Sequence, residues 1–113
     1  MGEDNTKPPQ KIAQKFQVLQ LEYSWRIEKR LQEIENSWRS YRDHFDQEKL
    51  ETLVNEVHRL AGSAPTYGFE LLGKLAAEAE DSLEKLQNSQ SNVTEVEAVI
   101  LQLVAYKSIA PEK

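Results

Sequence analysis

The chain has 113 residues, 39% of them hydrophobic and 29% charged, which suits one domain with a single core and not a disordered segment. Its net charge of −5 provides no basic footprint for DNA or RNA, and the absence of Cys removes disulfides, thiolate metal sites and cysteine nucleophiles. The longest apolar runs, such as "VILQLVAY", are too short to span a bilayer, and "MGEDNTKPPQ" is polar where a secretory signal needs an apolar stretch. Leu, Glu, Gln, Lys and Ala dominate and period-2 runs of β-branched residues are missing, so the expectation is an all-α protein, cytoplasmic, with neither nucleic acid nor membrane as partner.

Residues 1–10, with Asp, Asn, Thr and a Pro pair, read as a flexible lead or linker, and residues 11–110 as the domain. Ile12, Phe16, Leu19, Tyr23, Ile27, Leu31, Ile34, Trp38 and Tyr41 recur in steps of three and four. They predict a first helix with one stripe facing a core over about eight turns. Val18, Leu21 and Trp25 form a second stripe on roughly the opposite side, which a folded-back N-terminus, a partner or a second protomer could meet. Trp25 is the interface candidate of that stripe, whereas Trp38 reads as packing.

"RDHFD" breaks the pattern, and Asp46 is the expected N-cap of a second helix that buries Leu50, Leu53, Val54, Val57, Leu60, Ala61 and Ala64. Pro65 removes a hydrogen bond to Ala61, so an end or a kink is expected within a turn, with Gly68 in a left-handed cap. The third helix runs from about Glu70 to Asn88 with Leu72, Leu75, Ala76, Ala79, Leu83 and Leu86 inward. Asn92 and Glu95 resemble a capping box, and Val93, Val96, Val99, Ile100, Leu103 and Tyr106 make a fourth apolar stripe. Short connections between four amphipathic helices predict an antiparallel up-down-up-down bundle.

The chemistry is concentrated in "VHRLAGSAPTYGF". At about 100° per residue the buried face of the second helix centres near Val57 and Ala64, which puts His58 at the margin between core and solvent. Gly62 lies one turn on along the same side, where a helix interior loses about 1 kcal/mol relative to Ala, so a packing or functional reason is needed. A neutral imidazole is nucleophilic at its unprotonated nitrogen. A phosphoryl group there needs room, which Gly62 supplies, and a cation, for which Arg59 is the neighbour. The Ser63 hydroxyl lies further round the helix. A lone surface His is ordinarily inert, and His44, in the "RDHFD" connection, reads as an exposed loop residue.

"HRLAGSAPTYGF" resembles the signature of histidine-containing phosphotransfer (HPt) domains of two-component phosphorelays, H-x-L-x-G-S-x followed by a second Gly, here Gly68. The likeness extends over about residues 16–107, including "EIENSWRS" and "LLGKLAAEAEDSLEKL". It implies a four-helix bundle in which His58 is phosphorylated at Nε2 by a receiver's aspartyl phosphate and passes the group to another receiver. Arg59, Gly62, Ser63 and Asn55 are then the phosphate-supporting or docking residues. The partners implied are response-regulator receiver domains and a hybrid sensor kinase. The Mg²⁺ belongs to the receiver, and this chain needs no metal or cofactor of its own. Two positions depart from the pattern: Ala61 stands where many members carry Lys, and Pro65 lies close to the site. They motivate an alternative, a degenerate HPt-like bundle that docks a receiver or kinase without chemistry.

Other sites are weaker. Glu78, Glu80, Asp81 and Glu84 read as a solvated face of the third helix. A His44/His58 metal pair has no spacing logic, and no Glu-x-x-His pair suggests a di-iron bundle. Glycine-rich phosphate loops are absent, so no ATP-dependent kinase activity of its own is expected.

Overall fold

The computed structural model describes residues 10–107, and α-helix is its only regular structure: α1 (Gln10–Asp43), α2 (Gln47–Thr66), α3 (Glu70–Gln87) and α4 (Val93–Val104). Residues 1–9 of the expected lead lie outside the described residues, and Gln10 is the first residue of α1. Each helix packs on its sequence neighbours, and α4 closes the ring against α1. This is the up-down-up-down bundle that the short connections imply.

Local chemistry explains the helix ends. The Asp46 carboxylate accepts from the Glu48 N–H at 2.8 Å and starts α2. The Asn92 side chain accepts from the Glu95 N–H at 2.9 Å, while its own amide donates to the Glu95 carboxylate. That is the reciprocal box expected at the start of α4. At the end of α2 the Phe69 N–H reaches back to the Ala64 carbonyl at 2.9 Å and the Gly68 N–H to that of Pro65 at 3.0 Å. Gly68 takes φ 91°, and buried Phe69 supplies the apolar contact of a Schellman end. Pro65 therefore occupies the last turn, and α2 stops one residue after it. The same pattern ends α3, with Ser89 at φ 60° in the position glycine usually holds.

The core runs along the bundle axis and includes Trp38, Leu53, Leu60, Phe69, Leu72, Leu83, Ile100 and Leu103, all essentially inaccessible. Burying one such side chain contributes about 1.5–3 kcal/mol. The buried Trp38 indole N–H donates to Glu97 Oε1 at 3.0 Å, and Arg42 donates to the same oxygen at 2.7 Å, tying α1 to α4. Those two hydrogen bonds hold the Glu97 carboxyl below the usual carboxylate range.

One expectation fails in α1. Ile12, Phe16 and Leu19 belong to the core stripe by spacing, yet they are 60%, 42% and 45% exposed, and burial begins only at Tyr23. Length is the reason: 34 residues make α1 about 51 Å long, whereas the 20 of α2 reach only about 30 Å. Gln20 marks the end of the bundle, its amide donating to the Tyr67 carbonyl at 3.0 Å just beyond α2. The turns before it extend past the other helices in a molecule measuring 66 × 22 × 22 Å.

Candidate functional site

His58 stands on α2 with 69% of its side chain exposed, and its Nδ1 lies 2.6 Å from Oε2 of Glu80 on α3. A carboxylate can only accept, so Nδ1 carries the proton and donates it to Glu80. In the neutral imidazole this selects the tautomer whose Nε2 has the free lone pair. Glu80 is itself four-fifths buried, so the carboxylate that orients the ring is fixed in the α2–α3 seam.

Glu80 is the functional residue that the sequence reading assigned to a solvated face. No spacing rule links it to His58, because the two lie on different helices. The usable signal was the antiparallel register of α2 and α3. His58 and Glu80 stand equally far in sequence from Phe69 in the connection, as do Pro65 and Gly73, which touch. The same reflection sets Gly62 opposite Ala76, a small buried residue of α3.

Gly62 is open: a Cβ built there would meet nothing within 4 Å. Nothing inside the fold needs the missing side chain. Asn55 is exposed one turn before His58 on the same side of α2. Ser63 is not brought to the ring. It faces α1, where its hydroxyl is 2.7 Å from that of Tyr23. Tyr23 stacks on Tyr67 at 4.7 Å and packs on Phe69 at 5.6 Å, and burial pushes its hydroxyl pKa up. Arg59 lies on the α1 flank too, lining a cleft of about 190 Å³ with Arg30, Glu33, Ile34 and Glu56. His44 is exposed at the end of α1, as expected.

Pro65 has a packing role. Its ring lies against Gly73 of α3, where a Cβ would come within 2.5 Å of Cγ and 2.7 Å of Cδ. Proline and glycine thus bring α2 and α3 together beyond the site, about two turns along each helix from His58 and Glu80.

Among the described residues no three His, Cys, Asp or Glu side chains are grouped to hold a metal ion, and no helix is long and apolar enough to cross a membrane. The arrangement offers one chemical capability: an exposed, oriented imidazole with an acceptor on its far nitrogen and open space along its helix.

No curated protein and no solved structure matches the chain. The family model of the Hpt domain matches residues 25–107, from Trp25 in α1 to the end of the described chain. With its four-helix bundle and the His58 motif inside that segment, the chain belongs to the Hpt domain family, the phosphocarriers of two-component signalling, which exchange phosphoryl groups with receiver domains and kinases and have no kinase activity of their own.

Proposed function

We propose that the chain is a phosphorelay intermediate working in the cytoplasm, with His58 as its phosphoryl acceptor. The observation that carries this reading is the 2.6 Å contact of Nδ1 with Glu80, which makes Nε2 the nitrogen that bears the lone pair when the exposed ring is neutral. The Nε2 lone pair attacks the phosphorus of a receiver's aspartyl phosphate in line. The P–N bond forms as the P–O bond breaks, and the electron pair of that bond leaves on the aspartate carboxylate. The ring becomes a phosphoimidazolium that keeps its Nδ1 proton, and the Glu80 carboxylate offsets the new positive charge. The reverse step delivers the group to an aspartate of a second receiver, with the electrons of the P–N bond returning to Nε2.

Charge on the transferring group is balanced largely from the receiver's side, by its Mg²⁺ and Lys. This chain contributes an orienting carboxylate and an open approach across Gly62, with exposed Arg59, the next residue on α2, as the neighbouring cation. Asn55 borders the docking surface from the preceding turn.

The test is transfer from a panel of phosphorylated, radiolabelled receivers to the wild type and to His58→Gln. Acid-labile, base-stable label on the wild type alone is the expected result. Receiver binding without label on either protein would turn the assignment toward a docking module that carries no phosphoryl group.

A further inference from the structure

The N-terminal turns of α1 lie outside the segment that the Hpt family matches, and they carry a second apolar surface. From Lys11 onward, Lys11, Gln14, Val18, Leu21, Trp25 and Glu28 follow one another at alternating steps of three and four, and Gln32 continues the series. That is a heptad seam, on the side of α1 facing away from the core stripe. Its apolar centre is open, with Val18 52%, Leu21 48% and Trp25 72% exposed. From Leu21 on, the seam walls a groove of about 520 Å³, closed on the other side by Val104, Tyr106 and Lys107 at the end of α4.

We propose that a second copy of this chain fills the groove, its α1 running antiparallel to the first about a twofold axis near Leu21. Charge selects this occupant. The first turn of α1 contains no acidic residue and the protruding half of the seam is basic through Lys11, with Lys15 on its flank, whereas the groove half carries Glu28 and Glu35 beside Lys107. An antiparallel pairing sets Trp25 against the partner's Val18, Glu28 against the partner's Lys15 and Gln32 against the partner's Lys11, each contact occurring twice. A parallel pairing would oppose Glu28 to Glu28 and Lys15 to Lys15. The overlap from residue 11 to residue 32 is about 33 Å of helix. A twofold arrangement also covers the protruding half and the groove half of both copies together, which a foreign helix in the groove would not.

His58 sits on the α2–α3 seam, diagonally across the bundle from the α1–α4 groove. Both acceptor histidines of the dimer therefore face outward, and dimerisation leaves the phosphotransfer surface free.

Sedimentation equilibrium of the full chain tests this. The wild type should pass from monomer to dimer at roughly 10–100 µM, a contact of moderate strength. Trp25→Glu, at an exposed position, should be monomeric throughout that range while keeping the wild-type thermal melt. Lys15→Glu and Glu28→Lys should each weaken association about tenfold, and the double variant should return to within about threefold of wild type. A wild type still monomeric at about 1 mM would overturn the proposal and leave the stripe to another partner. So would a dimer indifferent to Trp25→Glu. A double variant no tighter than the single ones would overturn the antiparallel register.

Discussion

At Gly73 a Cβ would stand 2.5 Å from the Cγ of Pro65, while at Gly62, on the facing helix, it would meet nothing within 4 Å. Both glycines sit inside helices and both cost helix propensity. The seam between α2 and α3 explains the first: the proline ring occupies the space a side chain would take. It does not explain the second. The fold makes no demand at Gly62, so its reason lies in what approaches from outside, beside an imidazole oriented by Glu80. One seam thus has a packed end and an open end, and the two should respond to mutation in opposite ways.

The largest effect is expected at the packed end. Gly73→Ala should destabilise the fold by about 1–3 kcal/mol, since either the proline or the helix must move. In a Pro65→Ala background the same change should cost at least about 1 kcal/mol less, a coupling that denaturant titration of the four proteins would read directly. Additive costs would refute the contact. Phosphoryl uptake by the folded fraction should be unchanged.

At the open end, Glu80→Gln keeps an acceptor for the Nδ1 proton and loses the negative charge. Transfer from a phosphorylated receiver should slow by about tenfold, equivalent to about 1.4 kcal/mol in the barrier, without a matching loss of stability. Equal rates would reduce Glu80 to a spectator. Gly62→Ala should raise stability by about 1 kcal/mol and slow transfer several-fold, as a methyl replaces open space beside the ring. Were stability to fall, the openness of this position would be contradicted.

The smallest effect lies away from the seam, at Glu97. Its carboxyl is held below the ordinary range by Trp38 and Arg42, so the stabilisation it provides is complete above the ordinary carboxylate pKa. That stabilisation is lost as pH falls through the lower value of the folded state. Melting temperatures of Glu97→Gln and wild type should therefore differ most near neutral pH and converge in acid, with His58 chemistry unaffected. A gap that widened in acid would carry the wrong sign.

What could be read from the amino acids follows the range of the forces involved. Asp46, Asn92, Pro65 and Gly68 act within one turn of chain, and each does in the structure what its local chemistry implies. The buried stripes of α2, α3 and α4 were equally legible, because periodicity is a property of a single helix. Glu80 was not, since a carboxylate in an acidic run looks alike on every turn until a neighbouring helix sets the register. The same limit applies to Ser63, whose place depends on which side α1 packs. Ile12, Phe16 and Leu19 show the converse: their spacing is right, but no other helix is long enough to cover them.

The most direct measurement is nitrogen NMR of the protein labelled with ¹⁵N-histidine, before and after incubation with a phosphorylated receiver. The tautomer fixed by Glu80 predicts a protonated Nδ1 on His58 beforehand and phosphorus on its Nε2 afterwards. Phosphorus on Nδ1, or a His58 spectrum that no phosphorylated receiver changes, would contradict the assignment.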